Sequence, residues 1–256
     1  MAYETIGIGY DGGVTTITLN RPQVMNAFST RMRAEITAAF TAPPEGTRCI
    51  VLTGVGRGFC SGQDLGDGDA ARDLQGVLRD EYEPMIQAIR NAPAPVIAAV
   101  NGVAAGAGAN MALAADVVIA AESASFVQAF TRIGLLPDAG GTHVLPRLVG
   151  QARAMGAMLF ADAIPARQAA DWGMIWQAVP DADFAATVAA RARQLAQGPT
   201  AAFLAVRQAV ARSAEQGFAE QLALEAELQG KLGQSHDFRE GVAAFLEKRA
   251  PRFRGN

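Results

Sequence analysis

The sequence predicts an α/β fold followed by a helical region. Short apolar runs rich in β-forming residues alternate with helical patterns through most of the 256-residue chain, as in crossover units around mostly parallel sheets. Glycine-rich turns directly follow two of these runs. Beyond residues 197–199, a glycine and proline break, every apolar pattern is helical. We therefore place a boundary between an α/β core at 1–197 and a helical region at 198–256.

A hairpin opens the chain. Residues 5–10 and 14–20 are β-rich runs joined by Asp11, Gly12 and Gly13, a composition typical of a hairpin turn. Proline cannot donate a hydrogen bond to a neighbouring strand, so Pro22 ends the second run. The hairpin is therefore predicted to finish before residue 22.

Strands and helices then alternate. Ser29 predicts an N-cap for a helix over about 30–40. The continuous apolar run at 48–53 is typical of a strand buried on both faces. The remaining core elements follow in order: a helix at 83–91, a strand at 95–100, a helix near 107–115, a strand at 117–120, a helix near 151–160, a segment at 165–172 and a strand near 174–179.

The C-terminal region predicts three helices, at 200–213, 218–232 and 237–248. This region is too short to bury a core of its own, so it must pack on another surface. A neighbouring subunit is the natural candidate.

Composition excludes several classes of function. The net charge of −3 argues against a nucleic-acid partner, which usually needs a basic face. No run of about 18 apolar residues exists to span a bilayer, and the N-terminus lacks the basic and apolar regions of a secretory signal. Cys49 and Cys60 are the only cysteines and suggest neither a disulfide framework nor a zinc site. We expect a cytoplasmic protein without a bound metal.

Two glycine-rich turns are candidate sites. They read GVGRGFCSGQDL at 54–65 and NGVAAGAGAN at 101–110. Glycine lets backbone approach a ligand closely, and amides that open a helix are unpaired at its positive end. Facing one another, the turns could hold an oxygen that gains negative charge. The alternative, of equal weight on composition alone, is that the glycines only permit tight turns.

Nucleotide sites fit these turns less well. The second turn has the first two glycines of G-x-G-x-x-G, but Met111 stands in the third place, and isolated matches are weak signals. The chain has no Gly-Lys-Ser/Thr phosphate loop.

Asp138 is the candidate acid or base. It is the only carboxylate in the glycine-rich stretch GLLPDAGGT at 134–142. A single carboxylate there suggests a group that moves one proton rather than a paired acid and base. Burial beside Pro137 would raise its pKa. The alternative is that Asp138 caps the helix that follows.

Five segments carry a family resemblance over nearly the whole chain. They are LNRPQVMNA at 19–27, GFCSGQDL at 58–65, AVNGVAAGAG at 99–108, GGT at 140–142 and EGVAAFLEKR at 240–249. On these segments the chain resembles the crotonase, or enoyl-CoA hydratase/isomerase, superfamily. The resemblance implies a crotonase-like spiral of ββα units, a C-terminal helical oligomerisation region and a homotrimer or dimer of trimers. It also implies an acyl-CoA substrate, with no cofactor other than the coenzyme A of that substrate.

The resemblance assigns roles to particular residues. It places the backbone N–H groups of Gln63 and Ala107 in an oxyanion hole for the thioester carbonyl, where an enolate would be stabilised. It implies contacts to the substrate or its coenzyme A, by the residues Met25, Asp64, Leu65, Phe130, Phe245 and Lys248. The last two would cover the adenine from a neighbouring subunit. For Phe245 a core position on an amphipathic helix, and for Lys248 a solvated charge, are the competing interpretations.

The resemblance also bears on the reaction. Hydratases of this family use two glutamates, and here their positions hold Asn110 and Phe130. Neither side chain can act as a carboxylate base, so efficient hydration is not expected. Several isomerases of the superfamily carry an acidic residue where Asp138 lies. Asn110 could bind the substrate or an ordered water, or be a simple helix-face amide.

Two segments narrow the expected substrate. FVQAFTRIGLLPD at 126–138 and WGMIW at 172–176 resemble the ring-1,2-epoxyphenylacetyl-CoA isomerases of phenylacetate degradation. The resemblance implies conversion of that epoxide to oxepin-CoA, a double-bond shift in unsaturated acyl-CoA, or both. An enoyl-CoA hydratase and a non-catalytic acyl-CoA-binding protein are the alternatives.

Other candidates carry less weight. Cys60 has no obvious histidine partner for nucleophilic catalysis, and His143 and His236 are isolated in the sequence. The acidic loop at 66–72 is interpreted as a solvated lid beside the pocket, with cation binding as the weaker alternative.

Overall fold

The chain alternates between two β-sheets. A computed structural model describes residues 3–66 and 73–256. The strands are β1 Ile6–Asp11, β2 Val14–Leu19, β3 Cys49–Gly54, β4 Gly58–Cys60, β5 Val96–Val100, β6 Val103–Ala105, β7 Val117–Ala121, β8 Ser125–Val127, β9 Ile164–Pro165 and β10 Gln177–Val179. The α-helices are α1 Thr30–Thr41, α2 Leu74–Val77, α3 Glu83–Arg90, α4 Ala107–Leu113, α5 Gly141–Val149, α6 Gln151–Phe160, α7 Ala166–Asp171, α8 Asp181–Ala196, α9 Thr200–Ser213, α10 Phe218–Leu232 and α11 His236–Leu246.

The strand order shows a repeated unit. One sheet has the order β1-β2-β3-β5-β7-β10 and the other the order β4-β6-β8-β9. Apart from the antiparallel β1–β2 hairpin and the β8–β9 pair, neighbouring strands are parallel. From β3 onward the chain visits the large sheet, then the small sheet, and then forms helix before returning. This cycle confirms the predicted ββα units.

Alternating side chains of the large sheet enter two hydrophobic clusters. On β3, Ile50 and Leu52 belong to the main core, whereas Cys49 and Val51 face the opposite side. The opposite side is covered by α8, which contributes small apolar residues such as Ala192. A strand with apolar residues on both faces reads as a continuous hydrophobic run. The sequence pattern at 48–53 therefore predicted β3 and its burial correctly.

Most sequence-predicted elements are confirmed, but several elements of the structure were missed. The predicted helices at 200–213 and 218–232 match α9 and α10, and Ser29 caps α1 by accepting a hydrogen bond from the Met32 N–H. The small sheet was not anticipated because its strands have only two or three residues. Helix α8 was also missed, and α5 was anticipated only in the alternative interpretation that Asp138 caps a helix.

Two arginines fasten the helical region to the core. Arg48, just before β3, donates to the carbonyl of Phe253 (3.1 Å) and to the Thr200 hydroxyl (2.9 Å). Arg207 on α9 forms a bidentate pair with Asp116, at 2.6 Å for each contact. Bidentate arginine–carboxylate pairs add geometric specificity to their charge attraction. The two arginines therefore fix α9 and the C-terminus against the large sheet.

Across residues 3–66 and 73–256, none of the helices combines the length and the apolar character needed to cross a bilayer.

Substituting Gly108 should test how closely α4 packs on β4. A Cβ added at Gly108 would lie 2.4 Å from the Cys60 carbonyl oxygen, so G108A should lower the unfolding free energy by roughly 1–3 kcal/mol. Urea unfolding measures this change. In the matched control G230A, the added Cβ meets none of the described atoms within 4 Å, and alanine should stabilise α10 by about 0.5–1 kcal/mol. A G108A protein as stable as the wild type would contradict the packing described here.

Candidate active site

The two glycine-rich turns lie against each other. Gly62 follows β4 with a φ of +91°, and a Cβ added there would lie 2.9 Å from the Ala105 oxygen and 3.4 Å from the Ala107 nitrogen. Glycine is therefore required at position 62 by both its conformation and its contacts. The turns predicted from sequence do converge. Their approach brings the segments that carry the Gln63 and Ala107 N–H groups together.

Both backbone amides are unpaired within the described ranges. Among the residues that the structure describes, neither the Gln63 N–H nor the Ala107 N–H donates a hydrogen bond. Ala107 opens α4, where unpaired N–H groups and the helix dipole favour negative charge. Gln63 pairs with Phe28 in an isolated parallel bridge, in which the neighbouring Gly62 carbonyl and Asp64 N–H are the bonded groups. The bridge therefore fixes the Gln63 backbone while it leaves that N–H unpaired.

The side chain of Gln63 is held from two sides. Its Oε1 accepts hydrogen bonds from Arg33 Nη1 (2.8 Å) and from the Tyr82 hydroxyl (2.6 Å). Arg33 is fully buried and forms an ion pair with Glu81 at 2.6 Å, and its guanidinium lies 4.8 Å from the centre of the Tyr82 ring. Removing one partner of a buried ion pair is strongly destabilising. This cluster therefore gives the Gln63 turn a rigid support.

A π-helical turn supplies two members of that cluster. Residues Leu78–Tyr82 form this turn between α2 and α3. A π turn adds a residue to a helical turn and often lies at a functional site. It carries Glu81, which pairs with Arg33, and Tyr82, which bonds to Gln63.

Asp138 lies on the turn that leads into α5. Its backbone carbonyl accepts hydrogen bonds from the Gly141 N–H (2.9 Å) and from Asn110 Nδ2 (2.8 Å). The N-cap residue of α5 is Gly140, so Asp138 is not the helix cap that the alternative interpretation supposed. Ala139, the next residue, has a φ of +49°, a conformation that costs a non-glycine residue energy and is often found at functional sites.

The carboxyl group of Asp138 is unusual in its burial. Its Oδ1 is buried and has no hydrogen-bond partner among the described residues. Burial raises the pKa of Asp138 to about 6, although its own backbone N–H acts in the opposite direction. A pKa near the working pH suits a group that both accepts and returns a proton.

Asp138 lines a cavity of about 430 Å³ between the start of α5 and the π-helical turn together with α3. The cavity is lined by Leu78, Tyr82, Glu83, Ile86, Gln87, Arg90, Ala114, Asp138, Ala139, Gly140, His143 and Val144. Tyr82, on the wall of this cavity, also bonds to the side chain of Gln63, so the cavity lies next to the turn that carries Gln63.

Asn110 connects α4 to the Asp138 turn. It is buried, its Nδ2 donates to the Asp138 carbonyl, and its Oδ1 accepts from Gln128 Nε2 at 2.9 Å. A Cβ at Gly141 would lie 2.3 Å from Asn110 Nδ2, so glycine at 141 is what allows α5 to approach α4. Both ends of the Asn110 amide bind protein groups, and its role as a ligand of substrate or water stays a prediction.

Comparisons with known proteins agree with this geometry. A sequence model described as enoyl-CoA hydratase/isomerase matches residues 9–256. The chain is 62% identical to a Rhodobacter capsulatus protein named "Probable enoyl-CoA hydratase", with all of both chains covered. It is 47% identical to the 1,2-epoxyphenylacetyl-CoA isomerase of Escherichia coli, with 95% of each covered. The crystal structure of an enoyl-CoA hydratase from Bacillus anthracis superposes with a TM-score of 0.92 at 30% identity, covering 99% of this chain and 100% of the other.

The chain belongs to the enoyl-CoA hydratase/isomerase family. This confirms the resemblance inferred from the five sequence segments, and the predicted crotonase-like α/β fold with it. The roles of the individual site residues stay predictions.

Residues predicted to contact substrate have different environments. Phe130 is buried, and its ring lies 3.8 Å from a Cβ built on Gly106, beside the oxyanion turn. Leu65 is 72% exposed. Asp64 forms an ion pair with Arg21 at 2.9 Å. These three positions stay predictions as substrate contacts, and the ion pair gives Asp64 a structural role as well.

The segment that carries Met25 has an evident structural purpose. Met25 has a φ of +52°, and its carbonyl accepts a hydrogen bond from the Ser61 N–H at 3.0 Å. The neighbouring Asn26 is fully buried, and its Nδ2 donates to the carbonyls of Gly58 (2.9 Å) and Phe59 (3.1 Å). The segment at 19–27 therefore holds β4 in place, and β4 leads directly into the oxyanion turn.

Phe245 and Lys248 lie in another part of the protein. Phe245 is 83% exposed on α11 and lines a second cavity of about 430 Å³ with residues of α9 to α11. Neither residue is among the described residues that line the Asp138 cavity. Their predicted contact with the adenine requires a neighbouring subunit and stays a prediction.

Cys60 and the possible metal ligands were the other candidates for chemistry. Cys60 is buried, its Sγ donates to the Asn26 carbonyl at 3.1 Å, and burial raises its pKa to about 12, so a reactive thiolate does not form near neutral pH. Within residues 3–66 and 73–256 there is no group of three or more His, Cys, Asp or Glu residues able to hold a metal ion. Residues 67–72 of the predicted acidic lid lie outside the described residues.

Several residues of the site escaped sequence reasoning. Arg33, Glu81, Tyr82 and Gln128 all bond, directly or through one partner, to groups of the predicted site. The only sequence signal for Arg33 was a charged residue beside the apolar positions Met32 and Ile36 of α1, which are also buried.

D138N should stabilise the fold in a pH-dependent way. Because the folded-state pKa of Asp138 is raised, the folded protein binds more protons than the unfolded chain between about pH 4 and 6. Its stability therefore falls as the pH rises through that window. Asparagine removes this cost, so D138N should be more stable than the wild type by roughly 1–3 kcal/mol at pH 7.5, with a smaller difference at pH 4.

Chemical denaturation of both proteins at the two pH values measures this effect. D162N, which alters an exposed aspartate on the surface, serves as the matched control and should show no such pH-dependent gain. Equal stability of D138N and the wild type at pH 7.5 would mean that burial does not destabilise the charged form of Asp138.

Proposed function

We propose that the protein is an isomerase of CoA thioesters in which Asp138 moves the proton. The observation that carries the proposal is a largely buried carboxyl group with an unpaired oxygen and a pKa raised to about 6. It lines a cavity whose wall residue Tyr82 bonds to the side chain of Gln63, the residue that carries one of the two unpaired backbone amides. The substrate carbonyl would accept hydrogen bonds from the N–H groups of Gln63 and Ala107. These donors stabilise the oxyanion of the enolate that forms when a carbon-bound proton is lost.

The proposed reaction has two proton transfers. The Asp138 carboxylate removes a proton from the α carbon of a β,γ-unsaturated thioester, and the electron pair moves into the carbonyl to give the enolate. The same carboxyl group then returns the proton to the γ carbon while the enolate collapses to the α,β-unsaturated thioester. Atoms and charge balance without another reactant.

We propose a more specific reaction, the conversion of 2-(1,2-epoxy-1,2-dihydrophenyl)acetyl-CoA to oxepin-CoA. It is supported by the 47% identity to the 1,2-epoxyphenylacetyl-CoA isomerase of Escherichia coli. The buried Phe130 ring beside the oxyanion turn suits an aromatic or cyclic acyl group. Incubation of the protein with this epoxide and, separately, with a β,γ-unsaturated CoA ester should give oxepin-CoA and the α,β-unsaturated ester, identified by mass spectrometry and NMR. Failure on both substrates would contradict the proposal.

Hydration is the second candidate function. It is favoured by the 62% identical relative named as a probable hydratase and by Glu83, an exposed second carboxylate that lines the Asp138 cavity. Against it, the family positions for the two hydratase glutamates hold Asn110 and Phe130. If the wild type slowly hydrates crotonyl-CoA and E83Q abolishes this activity, the hydratase function is favoured. If the protein is an isomerase, E83Q should have no effect on double-bond migration.

D138N should abolish isomerisation but leave ligand binding nearly intact. Loss of a general acid and base typically costs about 10²- to 10⁴-fold in rate, and kcat for double-bond migration should fall by that factor. Binding of a saturated acyl-CoA, measured by calorimetry, should change little, and D162N is again the matched control. Near-wild-type turnover by D138N would exclude Asp138 as the proton carrier.

The pH profile should show the ionisation of the same group. The first step needs the carboxylate form, so kcat/KM should rise with pH and level off above about pH 6, the value to which burial raises the pKa of Asp138. Initial rates from pH 4.5 to 8.5 measure this. A profile that stays flat through this range would point to a different base.

We further propose a homotrimer or dimer of trimers whose C-terminal helices meet a neighbouring subunit. Phe218, Phe245 and Leu246 are each more than two-thirds exposed in the single chain, and patches of this kind commonly mark protein interfaces. Phe245 and Lys248 would then cover the adenine of the neighbour's ligand. Multi-angle light scattering tests the assembly, and a monomer at micromolar concentration would contradict it.

A further inference from the structure

The hydroxyl group of Tyr82 links the Asp138 cavity to the residue that carries one of the two candidate oxyanion donors. Tyr82 lines that cavity, and its hydroxyl lies 2.6 Å from Gln63 Oε1. Burial raises the pKa of Tyr82 above its ordinary value, so the phenol keeps its proton near neutral pH. An amide oxygen can only accept a hydrogen bond. Tyr82 is therefore the donor and Gln63 the acceptor.

Three hydrogen bonds fix the side chain of Gln63. In addition to the Tyr82 hydroxyl, Arg33 Nη1 donates to Oε1 at 2.8 Å. Because a guanidinium group has no acceptor, the amide oxygen must face these two donors. The Nε2 atom then donates to the carbonyl of the next residue, Asp64, at 3.1 Å. The bridge to Phe28 holds the backbone on both sides of Gln63, so its side chain and backbone are fixed together.

Tyr82 is itself held in one position. It is 2% exposed, and its ring packs edge-on against Phe28 with the ring centres 5.7 Å apart. The Arg33 guanidinium lies over the same ring, 4.8 Å from its centre. Both of these neighbours also contact Gln63. The packing of the ring therefore directs the Tyr82 hydroxyl to Gln63.

The orientation of Gln63 matters because an oxyanion donor must point to the place where negative charge develops. Removing one such donor typically costs about 10²- to 10³-fold in kcat, and a misplacement of about 1 Å can cost about 10²-fold. The Gln63 N–H and the Gln63 side chain are attached to the same Cα atom. Hydrogen bonds at Oε1 therefore restrict the rotation of the backbone as well as that of the side chain.

We propose that Tyr82 is a positioning residue: by holding the Gln63 side chain, its hydroxyl keeps the backbone N–H of Gln63 directed at the oxyanion of the enolate. In this role Tyr82 needs no contact with the substrate and takes no part in the proton transfers of Asp138. The inference rests on the proposed enolate chemistry and adds a residue that sets the strength of the oxyanion hole.

The first test is Y82F, which removes the hydroxyl and keeps the ring. Because Arg33 still holds Gln63, kcat for double-bond migration should fall by about tenfold, less than the cost of losing a whole oxyanion donor. Binding of butyryl-CoA, measured by calorimetry, should change little. The midpoint of the pH profile of kcat/KM should not move, since the hydroxyl is uncharged. A shifted midpoint would overturn the proposal, because it would show that Tyr82 acts on Asp138.

A second readout needs no turnover. Acetoacetyl-CoA loses the proton between its two carbonyl groups to give an enolate that absorbs ultraviolet light. Titration of the bound ligand therefore measures how well the two amides stabilise an oxyanion. In Y82F a tenfold loss of this stabilisation corresponds to a rise of about one in the pKa of the bound acetoacetyl group. Wild-type kcat together with a wild-type pKa of the bound ligand would overturn the proposal.

The matched control is T15V, which also removes the hydroxyl of a buried side chain. Thr15 is fully buried at the start of β2, and its Oγ1 bonds to that of Thr47 at 2.6 Å. It is not among the described residues that line the Asp138 cavity. T15V should lose stability as Y82F does but keep the wild-type kcat and enolate titration. An equal loss of both in T15V would overturn the proposal, since the effect would then follow stability alone.

Q63M tests the same link from the other side, and it serves if Y82F does not fold. Methionine keeps the length of the side chain but removes the acceptor oxygen, so the pKa of bound acetoacetyl-CoA should rise as in Y82F. A wild-type titration by Q63M would contradict the proposal. The enolate of this ligand forms without the proton transfers assigned to Asp138. Failure of the D138N prediction would therefore leave this test intact, and failure here would leave Asp138 as the proton carrier.

Discussion

The close approach of two strand ends is the constraint on which the site depends. Gly62 and Gly108 lie where any side chain would collide with backbone, at Ala105 and Cys60 respectively. The missing Cβ atoms let the turn after β4 pack directly against the turn after β6. Two neighbouring amides are thereby brought together at the opening of a helix, where the backbone dipole favours a developing negative charge. The apolar strands behind them keep this arrangement in place.

A second constraint links the oxyanion turns to the carboxyl group. Helix α4 begins at Ala107 and carries Asn110 one turn later, and Asn110 holds the carbonyl of Asp138. One short buried helix therefore positions the amide that would bind the substrate and the turn that bears the candidate base. The carboxyl group itself is left without a partner on Oδ1. A buried carboxyl group without a partner lowers the stability of the fold. It also shifts its own pKa toward the working pH, as is common at catalytic sites.

The sequence predicted the strands of the large sheet, most of the helices and the converging turns because their signals are local. Helix α8 was missed although it has 16 residues. The glycine and proline break at 197–199 and the helical apolar pattern beyond it locate α9 and α10 closely. Two glycine-rich turns after buried strands indicated the site, and the family resemblance indicated the amides of Gln63 and Ala107. The small sheet was missed because strands of two or three residues show no alternation. The supporting cluster was missed for another reason: Arg33 and Tyr82 meet Gln63 only through the fold. Partners separated by 19 to 30 positions leave no trace in local composition.

Asp138 is central to the account because one carboxyl group is assigned both proton transfers. Isomerisation of a β,γ-unsaturated CoA ester labelled with deuterium at the α carbon tests that assignment most directly, in a single turnover in ordinary water. If one buried carboxyl group carries the proton, a substantial part of the deuterium should appear at the γ carbon of the product. A product whose γ carbon holds only hydrogen from the solvent would contradict the account and indicate separate groups for the two steps.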